Sequence, residues 1–451
     1  MNHQLDVLII GAGLAGLQTA FLLEREGLAV QVLEARERVG GRLFTEAVSG
    51  CNVDLGGQWA GPQQHRLLNL AQTLGVATFP QFHHGTKILS WKNKLYWFRG
   101  EIPWLSPFAM FEIWKMQRSL GKLSREVSPE TPWSCPLAQQ WDNISLEDWK
   151  HQNFNTAGAR MFLDLVARAV CTSEPDQISF LYFLMYLRSG VDLNTLISIP
   201  GGAQQLRFQE GTQQLCSRIQ SKLVRQVVLN SPVKAITQNS TEITVKTSNS
   251  AWNAQRVVVT VPPGLIHEIH FSPSLPEDRK QLISHFCMGS VIKYVARYEK
   301  AFWRDAGYSG EVFMDEGPCT TTFDATSSDG QPALVTFSDG NVACELTEKS
   351  SEHRQQAVLK ELSRCLGAQA GHPIAFAQKN WIEDEWSGGC YAGVLKKDVL
   401  SRYGHALRKP CGRIHWAGTE TATEWFGYME GALQSAERVS QEMLSLVEPR
   451  N

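Results

Sequence analysis

The sequence contains no Cys-x-x-Cys pair and no dense cysteine spacing, although ten cysteines are scattered along its 451 residues. This pattern argues against a secreted disulfide scaffold and against a redox dithiol, and we expect reduced thiols in a soluble, cytoplasmic protein. No apolar run approaches the roughly 18–20 residues of a membrane span, so no transmembrane anchor is expected. The first residues, MNHQ, lead into LDVLIIGAG without a basic leader, which predicts no signal peptide.

An excess of charge of either sign is also missing. The chain has 43 Lys and Arg against 45 Asp and Glu, a formal net charge of −2. That balance provides no basic surface for nucleic acid, so we expect no nucleic-acid partner, and it leaves open whether the chain forms an oligomer. With 43% hydrophobic residues, the chain is long enough for a globular protein of two domains.

The beginning of the chain carries the clearest pattern. The stretch LDVLIIGAGLAGLQTAFLLEREGLAVQVLEA has an apolar strand, a G-x-G-x-x-G turn at Gly11, Gly13 and Gly16, an apolar helix, and a second strand that ends at Glu34. This order of strand, turn, helix and strand is the context in which the glycine triplet binds a dinucleotide. We therefore expect an α/β fold with a Rossmann-like domain at this end of the chain.

Each position of this fingerprint has a physical reason. Gly11 permits the tight turn, Gly13 lets a pyrophosphate touch the backbone, and Gly16 lets the helix approach the sheet closely. The N-terminus of the helix faces the phosphates with its partial positive charge. Glu34 is then expected to accept hydrogen bonds from a ribose.

Two further glycine-rich segments indicate which dinucleotide binds. The string EARERVGGRLFTE places Arg36, Gly41 and Arg42 after the second strand, and VDLGGQWAGP adds a turn at Gly57. These strings resemble the flavin-binding signature of the FAD-dependent amine oxidase superfamily. The resemblance implies that FAD is the cofactor and that these arginines and glycines contact its pyrophosphate and the edge of the flavin.

The remaining chain reads as a mixed α/β (α+β) protein of two interleaved domains. After residue 80 it becomes aromatic and irregular, and then helical from about Leu146 to Ser189. A polar-apolar alternation predicts an antiparallel meander that returns to a buried strand at Val257–Val261. We predict a discontinuous FAD-binding domain from residues 1–80, 208–283 and 379–451, and a mixed α/β substrate-binding domain from residues 81–207 and 284–378.

The C-terminal part strengthens the resemblance. RIHWAGTETATEWFGYMEGALQSAERVSQEML predicts a short strand at Ile414–Ala417 and a helix from about Met429. This stretch, together with SGGCY and MGSVIK, resembles the flavin-containing monoamine oxidases over nearly the whole chain. The resemblance implies flavin contacts from four further residues, which are Val233, Trp381, Thr419 and Met429. The animal enzymes continue into a membrane-spanning tail, whereas this sequence ends after SLVEPRN, so we expect a soluble relative without that tail.

In that family the cysteine of the SGGCY motif is joined to the flavin. The matching residue here is Cys390, which implies covalent FAD with an 8α-S-cysteinyl bond. The residues agree with this expectation, because Gly388 and Gly389 let the backbone approach a flat ring and a thiolate can attack its methyl group.

Three further residues are predicted to take part in catalysis. The family places two tyrosines face to face beside the flavin, and Tyr391 and Tyr428 match them. Such a slot suits an amine that must be neutral to react, because apolar walls disfavour the ammonium form. Lys293 lies among alternating apolar residues, where a lysine is costly without a partner; the family's equivalent lysine holds a water near the flavin and assists its reoxidation.

The residues predicted to contact the substrate differ in part from those of the monoamine oxidases. The resemblance matches Leu196 to the residue that divides an outer from an inner cavity, and Gln204 to a glutamine of the cavity wall. Thr321 stands where the family has a tyrosine, and Phe426 where it has a serine. These changes leave the flavin chemistry in place and alter the space for the substrate.

The resemblance implies a flavin-dependent monoamine oxidase that uses oxygen to convert a primary amine into an aldehyde, ammonia and hydrogen peroxide. A secondary amine is left open as a substrate. An L-amino-acid oxidase, a polyamine oxidase and a non-catalytic flavoprotein are the alternatives. The first would need an arginine for the substrate carboxylate, which no recognisable pocket motif supplies. No metal-binding constellation appears, and the sequence does not rank aromatic amines, aliphatic amines and polyamines as substrates.

Overall fold

The computed structural model describes residues 5–446. The residues MNHQ, on which the signal-peptide prediction rests, and the last five residues of the chain lie outside the described residues. The predicted FAD-binding domain begins and ends with these residues, so its two ends also lie outside the described part of the chain.

The strands account for five sheets. They are β1 (Leu5–Ile10), β2 (Val30–Leu33), β3 (Thr45–Val48), β4 (Cys51–Asp54), β5 (Trp59–Ala60), β6 (Thr78–Pro80), β7 (Thr86–Trp91), β8 (Lys94–Phe98), β9 (Leu206–Phe208), β10 (Val233–Gln238), β11 (Ile243–Thr247), β12 (Ala251–Val259), β13 (His270–Ser272), β14 (Phe286–Met288), β15 (Val291–Arg297), β16 (Tyr308–Met314), β17 (Thr321–Asp324), β18 (Ala333–Asp339), β19 (Ala375–Asn380), β20 (Gly393–Leu395) and β21 (Ile414–Trp416).

The α-helices lie between and around these sheets. They are α1 (Leu14–Arg25), α2 (His65–Thr73), α3 (Pro107–Ser124), α4 (Ala138–Asp142), α5 (Leu146–Asn153), α6 (Ala157–Cys171), α7 (Phe180–Ser189), α8 (Leu193–Ile197), α9 (Gln213–Gln220), α10 (Glu277–Ser284), α11 (Phe302–Asp305), α12 (Asn341–Thr347), α13 (Ser351–Leu366), α14 (Leu400–Tyr403) and α15 (Met429–Leu444).

The first sheet has the topology that the N-terminal pattern predicts. Its order is β13-β10-β11-β12-β1-β2, and β21 also pairs with β12. β1 lies between β12 and β2 and is parallel to both, while β10, β11 and β12 form the predicted antiparallel meander. β1 is buried along its whole length, because its run of apolar residues is covered on both faces. The dinucleotide-binding unit is therefore confirmed as an α/β fold.

The second large sheet forms one wall of the region where the predicted catalytic residues lie. Its order is β19-β15-β18-β17-β16-β7-β8. In the register of the sheet, Lys293 pairs with Phe337, Phe337 with Thr321, Thr321 with Phe313, and Phe313 with Leu89. Residues paired in this way share one face of a sheet, so these five side chains form a row across it.

A helical segment covers the same region. α5, α6 and α7 confirm the predicted helical stretch, and α7 is buried at nine of its ten residues, with only Arg188 outside the buried set. A helix that is apolar on all sides belongs inside a core. The helical part of the predicted substrate-binding domain begins before the expected Leu146, with the 18-residue helix α3.

The expectation of an irregular chain after residue 80 is wrong. β7 and β8 form a hairpin, in which Leu89 pairs with Tyr96. The turn consists of Lys92 and Asn93, with φ values of 51° and 58°. Positive φ at both turn residues matches the right-handed twist of a two-residue hairpin, and the sequence carries no glycine there to signal it. The mixed α/β class is confirmed, and the domain boundaries remain predictions.

Candidate active site

The glycine turn between β1 and α1 has the geometry that a pyrophosphate needs. Gly11 has a φ of 105°, in the left-handed region. A Cβ added to Gly16 would lie 2.0 Å from the carbonyl oxygen of Gly11, so only glycine fits there. A Cβ on Gly13 would meet no atom within 4 Å. The space beside this backbone is therefore open, and it lies at the N-terminus of α1.

Glu34 follows β2 beside this turn, and its carboxylate is fixed by the backbone. Oε2 accepts a hydrogen bond from the Ala12 N–H at 2.6 Å, and Oε1 accepts one from the Arg36 N–H at 2.9 Å. Each carboxylate oxygen has a second lone pair. Glu34 can therefore also accept a hydrogen bond from a ribose hydroxyl in the cavity that it lines.

Two arginines tie this turn to the C-terminal part of the chain. Arg36 pairs with Asp384 and donates a hydrogen bond to Ser387 Oγ at 2.8 Å. Arg42 binds both carboxylate oxygens of Glu420, at 2.5 and 3.0 Å. Burial acts to lower the pKa of Arg42, but the pairing with Glu420 raises it. Both arginines are therefore charged groups held in fixed positions at the cavity wall.

The other predicted flavin contacts fall into two groups. Gly41, Gly57, Val233, Thr419 and Met429 all line the same cavity as the glycine turn. Met429 is the first residue of α15, where backbone N–H groups without helical partners carry partial positive charge. The start of α15 can therefore face an electron-rich ring edge.

Trp381 forms the second group on its own. It is 1% exposed, and it is not among the described residues that line the cavity. Its Nε1 donates a hydrogen bond to the Leu55 carbonyl at 2.8 Å, directly before the turn that contains Gly57. The structure thus places Trp381 behind the cavity wall, where it supports that turn.

Cys390 is buried at the cavity wall on a tightly constrained segment. Its N–H donates to the Gly289 carbonyl at 2.9 Å, and its carbonyl accepts a hydrogen bond from Thr172 Oγ1 at 2.6 Å. Gly389 has a φ of 143°, and a Cβ there would lie 2.4 Å from the Gly289 oxygen. Burial raises the pKa of the Cys390 thiol to about 12, although Arg42 acts in the opposite direction. The thiol form therefore dominates at neutral pH.

Lys293 lies on β15 and points into the same cavity. Its Nζ donates hydrogen bonds to the Gly56 carbonyl at 2.8 Å and to Gln58 Oε1 at 2.6 Å. It also lies 5.4 Å from the centre of the Phe337 ring. Burial lowers the pKa of Lys293 to about 7. A lysine in this state can gain or lose a proton near neutral pH.

The two predicted tyrosines line the cavity together. The Tyr391 ring lies 6.3 Å from that of Phe337, and the Tyr428 ring lies 5.2 Å from that of Trp425 and 6.3 Å from that of Tyr186. Each tyrosine is therefore fixed by aromatic neighbours. Burial raises the pKa of both phenols, so both are neutral at physiological pH.

The three predicted substrate contacts also reach the cavity. Gln204 Nε2 donates to the Leu196 carbonyl at 2.9 Å, whereas its Oε1 is buried without a hydrogen-bond partner. Thr321 lies in the row of the second sheet, between Phe337 and Phe313. Phe426 packs against Tyr182 instead, at 5.7 Å.

A single cavity of about 380 Å³ connects these groups. It extends from the glycine turn past Cys390 and Lys293 to the second sheet, and it is walled there by aromatic and aliphatic side chains. A concave, largely apolar site with a few polar groups is typical of cofactor and substrate binding. Residues from distant segments of the chain, between the glycine turn and the start of α15, thus form one site.

Sequence reasoning missed several residues of this site. Gln58 holds Lys293, Glu420 holds Arg42, and Thr172 holds the Cys390 carbonyl. Glu311 and Lys87 also line the cavity. Gln58 and Glu420 belong to the quoted strings VDLGGQWAGP and RIHWAGTETATEWFGYMEGALQSAERVSQEML, so a motif search had a signal for these two residues. It had none for Thr172, Glu311 and Lys87.

Two kinds of feature are absent from residues 5–446. In that range, no three His, Cys, Asp or Glu side chains are grouped so that they could hold a metal ion. No helix in the described part of the chain is long and apolar enough to cross a membrane.

The site fits a flavin dinucleotide. The open backbone at Gly13 and the fixed carboxylate of Glu34 suit the pyrophosphate and ribose. Gln58 Nε2 is buried without a hydrogen-bond partner in the stretch of cavity that Lys293 and Cys390 also line. An unpaired buried donor of this kind needs an acceptor. The fold and the cavity together define a dinucleotide-binding flavoprotein.

Comparison with known proteins gives the family. The model of the family described as flavin containing amine oxidoreductase matches residues 14–444. The chain is 39% identical over 447 residues to a probable flavin-containing monoamine oxidase A of Dictyostelium discoideum, and the match covers 98% of both chains. It is 37% identical to the flavin-containing amine oxidase A of Sus scrofa, over 98% of this chain and 86% of that protein.

Solved structures agree. A putrescine oxidase variant made in a structure-based redesign of cofactor binding has a TM-score of 0.95 at 31% identity, and covers 98% of this chain and 99% of its own. The cyclohexylamine oxidase from Brevibacterium oxydans IH-35A has a TM-score of 0.94 at 27% identity, with the same coverage. The chain belongs to the flavin-containing amine oxidase family, within the group of the monoamine oxidases. It is a flavin-dependent amine oxidase, as the resemblance predicted.

Proposed function

We propose that the chain uses covalently bound FAD and oxygen to convert a primary amine into an aldehyde, ammonia and hydrogen peroxide. The observation that carries this proposal is that one cavity is lined by the glycine turn and by Lys293, Tyr391, Tyr428 and Cys390. When bound, FAD supplies the two-electron acceptor that oxidises the carbon next to the amine nitrogen and returns the electrons to oxygen. The protein supplies binding, orientation and exclusion of water.

The residues of the chain divide this work. The glycine turn and Glu34 would hold the dinucleotide, and the start of α15 would face the ring. Tyr391 and Tyr428 orient the amine, and the apolar walls favour its neutral form, which is the reactive one. The imine that leaves the site is hydrolysed by water.

Lys293 serves the oxygen reaction in this proposal. A positive charge or a transferable proton at Nζ stabilises negative charge that develops as oxygen is reduced. Its two hydrogen bonds to Gly56 and Gln58 keep Nζ in place without neutralising it by a carboxylate. The group can therefore act as a charged or proton-donating residue near neutral pH.

Covalent attachment joins Cys390 Sγ to the 8α carbon of the flavin. Cys390 would supply the sulfur of the new S–C bond, and the thiol proton, one methyl proton and the two electrons released would be taken up by oxygen as hydrogen peroxide. The reaction needs the thiolate. Because burial raises the pKa of Cys390, attachment should accelerate with rising pH.

The charges of the cavity separate the alternatives. Among the described cavity-lining residues, Arg36 and Arg42 are the arginines, and acidic partners hold both on the flavin side. An L-amino-acid oxidase would need a guanidinium for the substrate carboxylate. An amine without a carboxylate is therefore the better substrate.

We expect replacement of either cavity tyrosine to lower kcat/KM with a good amine in the order Tyr, Phe, Leu. Leucine keeps an apolar wall but removes the ring and part of the orientation. A loss of about 10- to 100-fold corresponds to roughly 1.4–2.7 kcal/mol of transition-state stabilisation. The measurement is steady-state oxygen consumption by Tyr391→Phe, Tyr391→Leu and the same changes at Tyr428, at a pH with enough neutral amine.

The control for this series is Tyr96→Leu, because Tyr96 is a partly exposed tyrosine of β8 outside the cavity lining. It should retain the activity of the wild type. Equal activity of the Tyr, Phe and Leu forms at both cavity positions would show that these tyrosines serve only in packing.

A further inference from the structure

Glu311 is a buried carboxylate with one oxygen unused. It lies on β16, is 2% exposed, and lines the cavity. Its Oε2 lies 2.9 Å from Lys87 Nζ, whereas its Oε1 is buried and has no partner in hydrogen-bond geometry. Burial raises the pKa of Glu311, while Lys87 and the neighbouring Ser309 hydroxyl act to lower it. A buried charged oxygen without a partner is destabilising, so such an atom calls for a donor. The open side of the group is the cavity.

The charges around Glu311 do not cancel. Lys87 and Glu101 line the same part of the cavity, and Glu101 Oε2 lies 3.7 Å from Lys87 Nζ. Two carboxylates therefore share one ammonium, so the formal charges of this cluster sum to −1. Glu101 is 45% exposed, so water reaches that side of the cluster. This environment favours a cationic donor over a neutral one.

The strand order of the second sheet locates this cluster relative to the tyrosines. Glu311 precedes Phe313 by two residues on β16, beside a shift in the register with β7 between Tyr308 and Val312. It lines the same cavity as Phe313, Thr321 and Phe337. Phe337, which contacts Tyr391, lies on β18, and Glu311 lies two strands away on β16. Glu311 is also displaced by about two residues along the strand direction. Strand spacing and rise place the two Cα atoms roughly 12 Å apart.

A row of aromatic rings covers this distance. Ring centres are separated by 6.3 Å from Tyr391 to Phe337, by 6.5 Å from Phe337 to Phe323, and by 6.2 Å from Phe323 to Phe313. All four rings line the cavity. An apolar wall thus leads from the predicted site of oxidation to the acidic cluster.

We propose that Glu311 binds a second ammonium group at the far end of the substrate, so that the enzyme prefers long diamines to monoamines of the same length. The reacting nitrogen lies between Tyr391 and Tyr428, the hydrocarbon chain follows the aromatic row, and the distal ammonium donates to Glu311 Oε1. This inference rests on the proposed function and names its substrate class.

The test compares kcat/KM of the flavin-loaded enzyme for 1,8-diaminooctane, octylamine and 8-amino-1-octanol, with 1,4-diaminobutane and butylamine as a pair too short to span the distance. A charge-assisted hydrogen bond predicts a preference of about 10- to 100-fold for the long diamine over octylamine. The short diamine should show little preference over butylamine. The amino alcohol should fall near octylamine.

Two variants locate the effect. Glu311→Gln should reduce the preference for 1,8-diaminooctane at least tenfold, through KM. Because this change leaves Lys87 buried without its charge partner, the double variant Lys87→Met with Glu311→Gln removes both charges and should also lose the preference. Glu352→Gln, at an exposed position on α13 outside the cavity, is the matched control and should keep it.

The outcomes separate this inference from the proposed function. A wild-type enzyme that oxidises benzylamine but does not distinguish diaminooctane from octylamine would overturn the role of Glu311 alone. Retention of the preference in a folded Glu311 variant would do the same, and an amino alcohol equal to the diamine would overturn the choice of a cation. Failure to oxidise any amine would contradict the proposed function itself.

Discussion

Replacing Cys390 with alanine is expected to change a flavin that stays with the denatured polypeptide into one that is fully released. The reason is positional, because Cys390 lines the cavity beside Lys293 on a segment fixed through Gly289 and Thr172. Its backbone is therefore held in place at the cavity wall, which limits the positions that the sulfur can reach. The measurement is acid denaturation followed by filtration, with flavin absorbance read in the retained and filtered fractions.

The control for this experiment is Cys344→Ala, since Cys344 is the exposed cysteine of α12. It should retain the flavin on the polypeptide, like the wild type. Free FAD from the denatured wild-type protein would contradict covalent attachment and would leave the amine oxidase assignment in place. The raised pKa of Cys390 adds a second readout, because attachment of FAD to apoprotein should accelerate between pH 7 and 9.

Replacing Lys293 with methionine is expected to slow reoxidation of the reduced flavin by about 100-fold or more, the scale of losing one preorganised electrostatic group. Anaerobic reduction by amine should change by less than about tenfold, because the tyrosines and the apolar walls orient the amine. Stopped-flow absorbance separates the two half-reactions. The opposite division between them would show that Lys293 acts mainly on the amine.

The pKa of Lys293 also predicts how the rate of flavin reoxidation changes with pH. Burial lowers the pKa of Lys293 to about 7, so its charged fraction falls as the pH rises through that value. If the charge assists oxygen, reoxidation in the wild type should slow over the same range, and Lys293→Met should lose this dependence. Lys360→Met, at an exposed position on α13 outside the cavity, is the control and should keep it.

The local elements of the cofactor site were predictable because their residues are adjacent in sequence. The glycine triplet, the helix after it and Glu34 together specify one supersecondary unit, and the structure contains it as predicted. The glycine-free turn of the β7–β8 hairpin shows the limit of such reasoning. Lys92 and Asn93 adopt positive φ there through the twist of the strands, which a residue pattern does not reveal.

The meeting of distant segments was predictable only through the family resemblance. Nothing in the local sequence places Cys390 next to residues of β15 or α15, because that proximity depends on how two sheets pack. Glu311 illustrates what resemblance also misses. It is a single acidic residue in an apolar strand, and its importance appears only when the fold brings it within 2.9 Å of Lys87 at the cavity wall.

The central claim is that this chain oxidises amines through a bound flavin. The most direct test mixes the purified yellow protein with benzylamine, and separately with 1,8-diaminooctane, in the absence of oxygen, and follows flavin absorbance. We predict that absorbance near the visible flavin maximum bleaches with at least one amine, returns when air is admitted, and yields one hydrogen peroxide per amine consumed. A flavin that stays oxidised with every amine tested, including aromatic, aliphatic and polyamine substrates, would contradict the account.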